Sequence, residues 1–180
     1  MHPIRVVLIL AISGSLRSRS TNTAVLESAA KLAPEGTEVR VWQGLGELPL
    51  FNPDLDVSPA PPAVDAFRAE LRAADAIMIC SPEYAHGVSG VMKNALDWVV
   101  GSGELMEKPV ALINASPNAT IAHAALAETL RTMSAVVVEE ASVTLPIFSG
   151  KPDAAAMMAS PEISSALKGA VTALSSRKTD

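Results

Sequence analysis

The chain has 180 residues, 49% hydrophobic and 18% charged, with a formal net charge of −5 and a pI near 5.2. That balance excludes a disordered chain and offers no general basic face for nucleic acid, although local basic residues can still hold one small anion. Aromatics make up only 3%, so the core must be built from Ala, Val, Leu, Ile and Met, as helices packed on a sheet would be. The length suits one domain, 1–180. The single cysteine, Cys80, excludes an intramolecular disulfide; inside AIMICS it reads as a buried small hydrophobe, with a redox thiol as the alternative.

Taken in chain order, 4–12 is a continuous apolar run rich in β-branched residues, which predicts a strand covered on both faces. It is far shorter than the ~20 residues that span a bilayer. Arg5 before its VVLILAI portion imitates a signal peptide, but no small-residue cleavage pattern leads into a Cys-rich domain. A cytoplasmic protein without a membrane segment is expected. Residues 22–33 place Val25, Leu26, Ala29 and Ala30 at helical spacing and stop at Pro34-Glu35-Gly36. Residues 37–42 alternate like a shorter strand. Residues 43–60, with five Gly or Pro, read as a long loop. Pro61-Pro62 opens a helix to Ala74 with Val64, Phe67, Leu71 and Ala74 on one face. Strands are expected at 75–81, at 109–114 and within 134–145. Helices are expected at 88–100, 119–134 and 160–176, followed by a frayed tail, 177–180. Strand–helix alternation of this kind predicts a parallel sheet with helices on both faces. Ligands then bind beyond the carboxyl ends of the strands, which points to the loops at 13–22, 81–90 and 114–119.

The first of these loops is SGSLRSRSTN, residues 13–22. Unpaired N–H groups at a helix start stabilise an anion, phosphate above all. Ser15, Ser20 and Asn22 add side-chain donors and Arg17 adds charge-assisted bonds, while Gly14 permits a tight turn. Each residue also has a plain structural role open to it. Thr21 or Asn22 can cap the helix, and Arg17 and Arg19 can simply be solvated. The cluster after a buried strand favours the anion. It is neither GxGxxG nor GxxxxGK[ST].

The second loop lies in SPEYAHGVSGVMKNALDWVVGSGEL, residues 81–105. Here the chain resembles the NADPH-dependent FMN reductase family. GSLRSRSTN, 14–22, is similar to that family's GSLRxxSxN loop, and PEYAHGVSGVMKNALDW, 82–98, to its PEYNxxxPGxLKNAIDW segment. The resemblance implies a flavodoxin-like three-layer α/β fold with a five-stranded parallel sheet in the order 2-1-3-4-5. It implies that Ser15, Arg17, Ser20 and Asn22 hold the FMN phosphate. Pro82, Glu83 and Tyr84, continued by Ala85, His86 and Gly87, would run along the isoalloxazine ring, and Ser116 would belong to a further flavin-side loop. Ala85 stands where the family has Asn, so no amide contact carries over; His86 either supplies a polar group in its place or stands in solvent. Ser89 stands where the family has Pro. Asn94, Asp97 and Trp98 share a helix face and read as packing or interface groups.

The resemblance further implies a ping-pong oxidoreductase. NADPH or NADH would pass a hydride to the flavin, which then reduces a small-molecule electron acceptor: a quinone, azo compound, metal oxyanion or free flavin. It implies a homodimer or homotetramer. Two alternatives stay open: a flavodoxin-like FMN electron carrier without NADPH turnover, and a non-enzymatic anion-binding protein. No metal site is expected, since His2, His86 and His123 are widely spaced, and GxSxG is absent.

Overall fold

The computed structural model describes residues 5–150 and 152–177. The first position of the expected opening strand, His2, and most of the 177–180 tail lie outside the described residues. β1 (Val7–Ser13) lies inside the sheet, flanked in parallel register by β2 (Thr37–Trp42) and β3 (Ala76–Cys80), with Ile9 opposite both Val39 and Ala76. Alternate residues of β1 feed opposite faces. Leu10 and Ile12 enter one apolar cluster and Ile9 and Ala11 the other, so no polar position interrupts the run.

α1 (Thr21–Lys31) packs on the Ile9 face, joined by α5 (Ala154–Ala159) and α6 (Pro161–Ser175). α2 (Pro62–Ala73), α3 (Gly90–Val100) and α4 (Thr120–Thr132) cover the Leu10 face. β6 (Pro109–Asn114) follows β3 in the sheet. Beyond it the expected last strand is split. β7 (Val136–Val137) and β8 (Val143–Thr144) both pair with β6, separated by a 3-10 turn at Glu139–Ala141. At the break the Leu112 N–H donates to Ser142 Oγ at 3.0 Å instead of to a neighbouring backbone. The spatial order is β2-β1-β3-β6-β7, the expected 2-1-3-4-5 with a divided fifth position.

Two further elements were not expected from the sequence. α5 is a short helix whose N-cap, Asp153, accepts from Ala156 N–H at 2.9 Å. A hairpin, β4 (Glu83–Tyr84) with β5 (Gly87–Val88), fills the start of the second loop.

The long loop at 43–60 is fastened to α3. Asn94 donates to the Pro49 carbonyl at 3.0 Å and accepts from Phe51 N–H at 2.8 Å. Trp98 Nε1 donates to the same Pro49 carbonyl at 2.7 Å, and Phe51 meets the indole edge-on at 5.1 Å. These two helix residues therefore act in packing within the chain, while Asp97 pairs with Lys93 at 2.6 Å on the exposed side. Among the described residues no helix is long and apolar enough to cross a membrane.

Candidate functional site

The loops after β1 and β3 meet at the switch point where the sheet order changes direction, the place where open α/β sheets bind ligands. Their approach is close. Gly14 N–H donates to the Cys80 carbonyl at 2.9 Å, and a Cβ on Gly14 would lie 2.2 Å from Ser81 Oγ, so only glycine fits. Beyond Gly14, Ser15 is buried. Its N–H donates to Ser13 Oγ at 3.3 Å and its hydroxyl accepts from Arg17 N–H at 3.4 Å. The α1 N-cap is Ser20, which accepts from Thr23 N–H at 3.4 Å, rather than Thr21 or Asn22.

Asn22 is thereby left to face inward. Its Oδ1 accepts from the Cys80 thiol at 3.3 Å. Burial pushes that thiol well above its ordinary range, so it remains protonated and serves as a donor. Arg17 and Arg19 are exposed, the first turn of α1 carries no acid, and among the described residues neither arginine pairs with a carboxylate.

In the second loop the hairpin turns on Ala85 and His86, at φ 49° and 59°. A two-residue hairpin whose central residues both have positive φ is best served by Asn or Gly. Asn at 85, as in the family motif, suits this backbone, whereas alanine there costs roughly 1–2 kcal/mol. The Glu83 carboxylate accepts from Ala122 N–H at 2.8 Å, in the first turn of α4, and from His86 Nδ1 at 3.0 Å. α4 has no side-chain cap of its own, so the hairpin supplies one. His86, though exposed, is thus directed onto Glu83.

The Ala122 N–H, aided by His86 and opposed by partial burial, holds the Glu83 carboxyl below its usual range. A depressed native carboxyl contributes stability above the unfolded-state pKa of about 4.3 and loses it as pH falls through the native value. Glu83→Gln is accordingly expected to unfold at lower denaturant than the wild type at pH 7, with the gap closing below about pH 4. Denaturant midpoints measured at the two pH values check this; an equal gap at both would show that the charge contributes nothing.

Between the loops lies a crevice of about 300 Å³ whose lining includes Asn22, Pro82, Glu83, Asn114 and Ser116. Asn114 shapes its floor by donating to the Ala119 carbonyl at 3.1 Å and accepting from Ser116 N–H at 3.0 Å. Of the residues singled out from sequence, Asn22, Pro82, Glu83 and Ser116 are brought together here. Ser15, Arg17 and Ser20 border two adjoining cavities on either side of the first loop, of about 260 and 440 Å³. Tyr84, Ala85, His86 and Gly87 form the hairpin turn and do not line the crevice. Sequence reasoning named the loop 114–119 without singling out Asn114, and missed the segment 147–150, where Phe148 stands 73% exposed at the rim. The available signal was the Pro146–Gly150 breaker pair after the last strand, read with the same strand-end rule.

The sheet order, the two helical layers and the crevice at the switch point define a flavodoxin-like α/β protein. The chain belongs to the NADPH-dependent FMN reductase family, whose model matches residues 7–150. It is 43% identical over 112 residues to an NAD(P)H-dependent FMN reductase of Pseudomonas aeruginosa, covering 61% of this chain and 60% of that protein. It is 35% identical over 120 residues to a quinone reductase of Pseudomonas putida, covering 64% and 63%. The matched stretch thus spans less than two thirds of either relative. Among solved structures, FerB of Paracoccus denitrificans, a flavoenzyme NAD(P)H:(acceptor) oxidoreductase, superposes with a TM-score of 0.74 at 28% identity, covering 94% of this chain and 96% of that one.

Proposed function

We propose that this chain, as one FMN-binding domain, is an NAD(P)H-dependent oxidoreductase that passes electrons from NADPH or NADH to a small acceptor, with a quinone as the leading class. Azo compounds, metal oxyanions and free flavin are further acceptors of the same kind. The observation that carries this reading is the meeting of the two motif loops at the β1/β3 switch point, with Gly14 against Ser81. The names of the relatives from both Pseudomonas species support it.

The residues present fit FMN. Arg17 is free of carboxylate partners among the described residues and stands at a helix start without acids. With Ser15, Ser20 and Asn22 it would hold the phosphate. Pro82 would offer a flat wall with Glu83 beside it, and Ser116 adds a donor across the crevice. FMN, when bound, supplies the hydride and electron chemistry. The protein's part is to bind, orient and shield. Glu83, engaged with α4 and His86, fixes the loop and is not assigned a proton-transfer role. We place the protein in the cytoplasm as a homodimer or homotetramer. The exposed Leu50 and Val57 of the loop on α3, with Val100 at the end of that helix, support a face covered by a second copy.

The test is anaerobic titration of the FMN-loaded protein with NADPH, followed by addition of a quinone. The expected result is loss of the yellow flavin absorption and its return with acceptor. Protein that stays oxidised would mark an electron carrier, and a colourless protein that cannot be reconstituted would mark a binder of some other anion.

A further inference from the structure

Ser89 departs from the family motif, which has Pro at this position, and no role was evident for it from sequence. It is 2% exposed, so its hydroxyl must find partners within the protein. Those partners come from three segments. Ser89 Oγ donates to the Gly14 carbonyl at 2.7 Å. With its one proton used there, the oxygen accepts from Met92 N–H at 3.4 Å, as N-cap of α3, and from Ser81 Oγ at 3.4 Å. One buried hydroxyl therefore ties the first loop, the end of β3 and the start of α3.

We infer that Ser89 is a positioning residue that keeps the Gly14 carbonyl turned away from the anion-facing side of the first loop. The inference rests on the FMN reading above. An anion is favoured where a loop presents N–H and hydroxyl donors, and disfavoured where a carbonyl oxygen points at it. Gly14 has the freest backbone in the loop. Its N–H is held by the Cys80 carbonyl and its carbonyl by Ser89. Without the Ser89 hydroxyl that carbonyl loses its buried partner, and the peptide between Gly14 and Ser15 is free to turn its oxygen toward the bound phosphate. Neither Gly14 nor Ser15 lines the crevice itself, whose ring side is built from Pro82 and Ser116.

The backbone at Ser89 suits the family's residue equally well. Its φ is −57°, within the range a proline ring imposes, and its N–H donates to nothing among the described residues. Ser89→Pro therefore removes the hydroxyl while sparing the backbone, and is the second variant should Ser89→Ala fail to fold.

Wild type, Ser89→Ala and Ser89→Pro are titrated with FMN and with riboflavin, which lacks the phosphate, and binding is read from flavin fluorescence. Both variants are expected to bind FMN roughly five- to tenfold more weakly, while riboflavin affinity stays within about twofold. A general loosening of the site would weaken both flavins alike, and that result, or an unchanged FMN-to-riboflavin ratio, would overturn the inference. A wild-type protein that binds neither flavin would instead remove the FMN reading and the inference with it.

Discussion

Alanine at both Arg17 and Ser20 is expected to weaken FMN binding more than ~tenfold. A hydrogen bond to a charged group contributes about 1.5–3 kcal/mol, and tenfold in affinity corresponds to about 1.4 kcal/mol. Arg17 is exposed and meets no carboxylate among the described residues, so its charge is not already neutralised within the chain. Ser20 accepts from Thr23 N–H, which leaves its hydroxyl proton to donate outward. Because Ser20 is also the cap of α1, its loss costs about 0.5–2 kcal/mol of stability. The single Arg17→Ala variant, in which the cap is intact, separates the two effects. Fluorescence titration with FMN measures them, and an affinity equal to wild type in the double variant would take the phosphate out of this loop.

Trp98→Ala is expected to lower stability by about 3–5 kcal/mol. The indole is completely buried among the Leu10-face residues. Its ring meets Phe51 edge-on and its N–H holds the Pro49 carbonyl. The variant therefore leaves a cavity, removes one of the two donors to the Pro49 carbonyl and loosens part of the 43–60 loop together. Urea unfolding should show a lower midpoint with a similar slope. A loss under about 1 kcal/mol would mean that Asn94 and the pairing of Arg68 with Asp56 hold the loop without the indole.

The sheet was legible because β1, β3 and β6 are covered on both faces, and such strands appear as unbroken apolar runs. The division between β7 and β8 was not. It depends on the Ser142 side chain taking the Leu112 N–H, a contact between residues 30 apart in the chain. The hairpin was hidden for another reason. Ala85-His86 lacks the Asn-Gly composition that announces such a turn. In the site, the loops themselves were foreseen, but the helix cap was placed one or two residues late, at Thr21 or Asn22 instead of Ser20. The segment 147–150 carries no motif, and its one sequence signal was its place between Pro146 and Gly150 after the last strand.

The divided last strand bears on how the molecule behaves in a crowded solution. A long flat sheet margin offers a row of unsatisfied amides on which another chain can grow. Here one margin is cut into two pairs of residues by a turn bearing Glu139 and Glu140. The opposite margin, β2, carries Glu38 and Arg40, which pair with each other at 3.0 Å. Neither side leaves a continuous apolar template, so partly unfolded copies have little ordered margin on which to nucleate fibrous assembly.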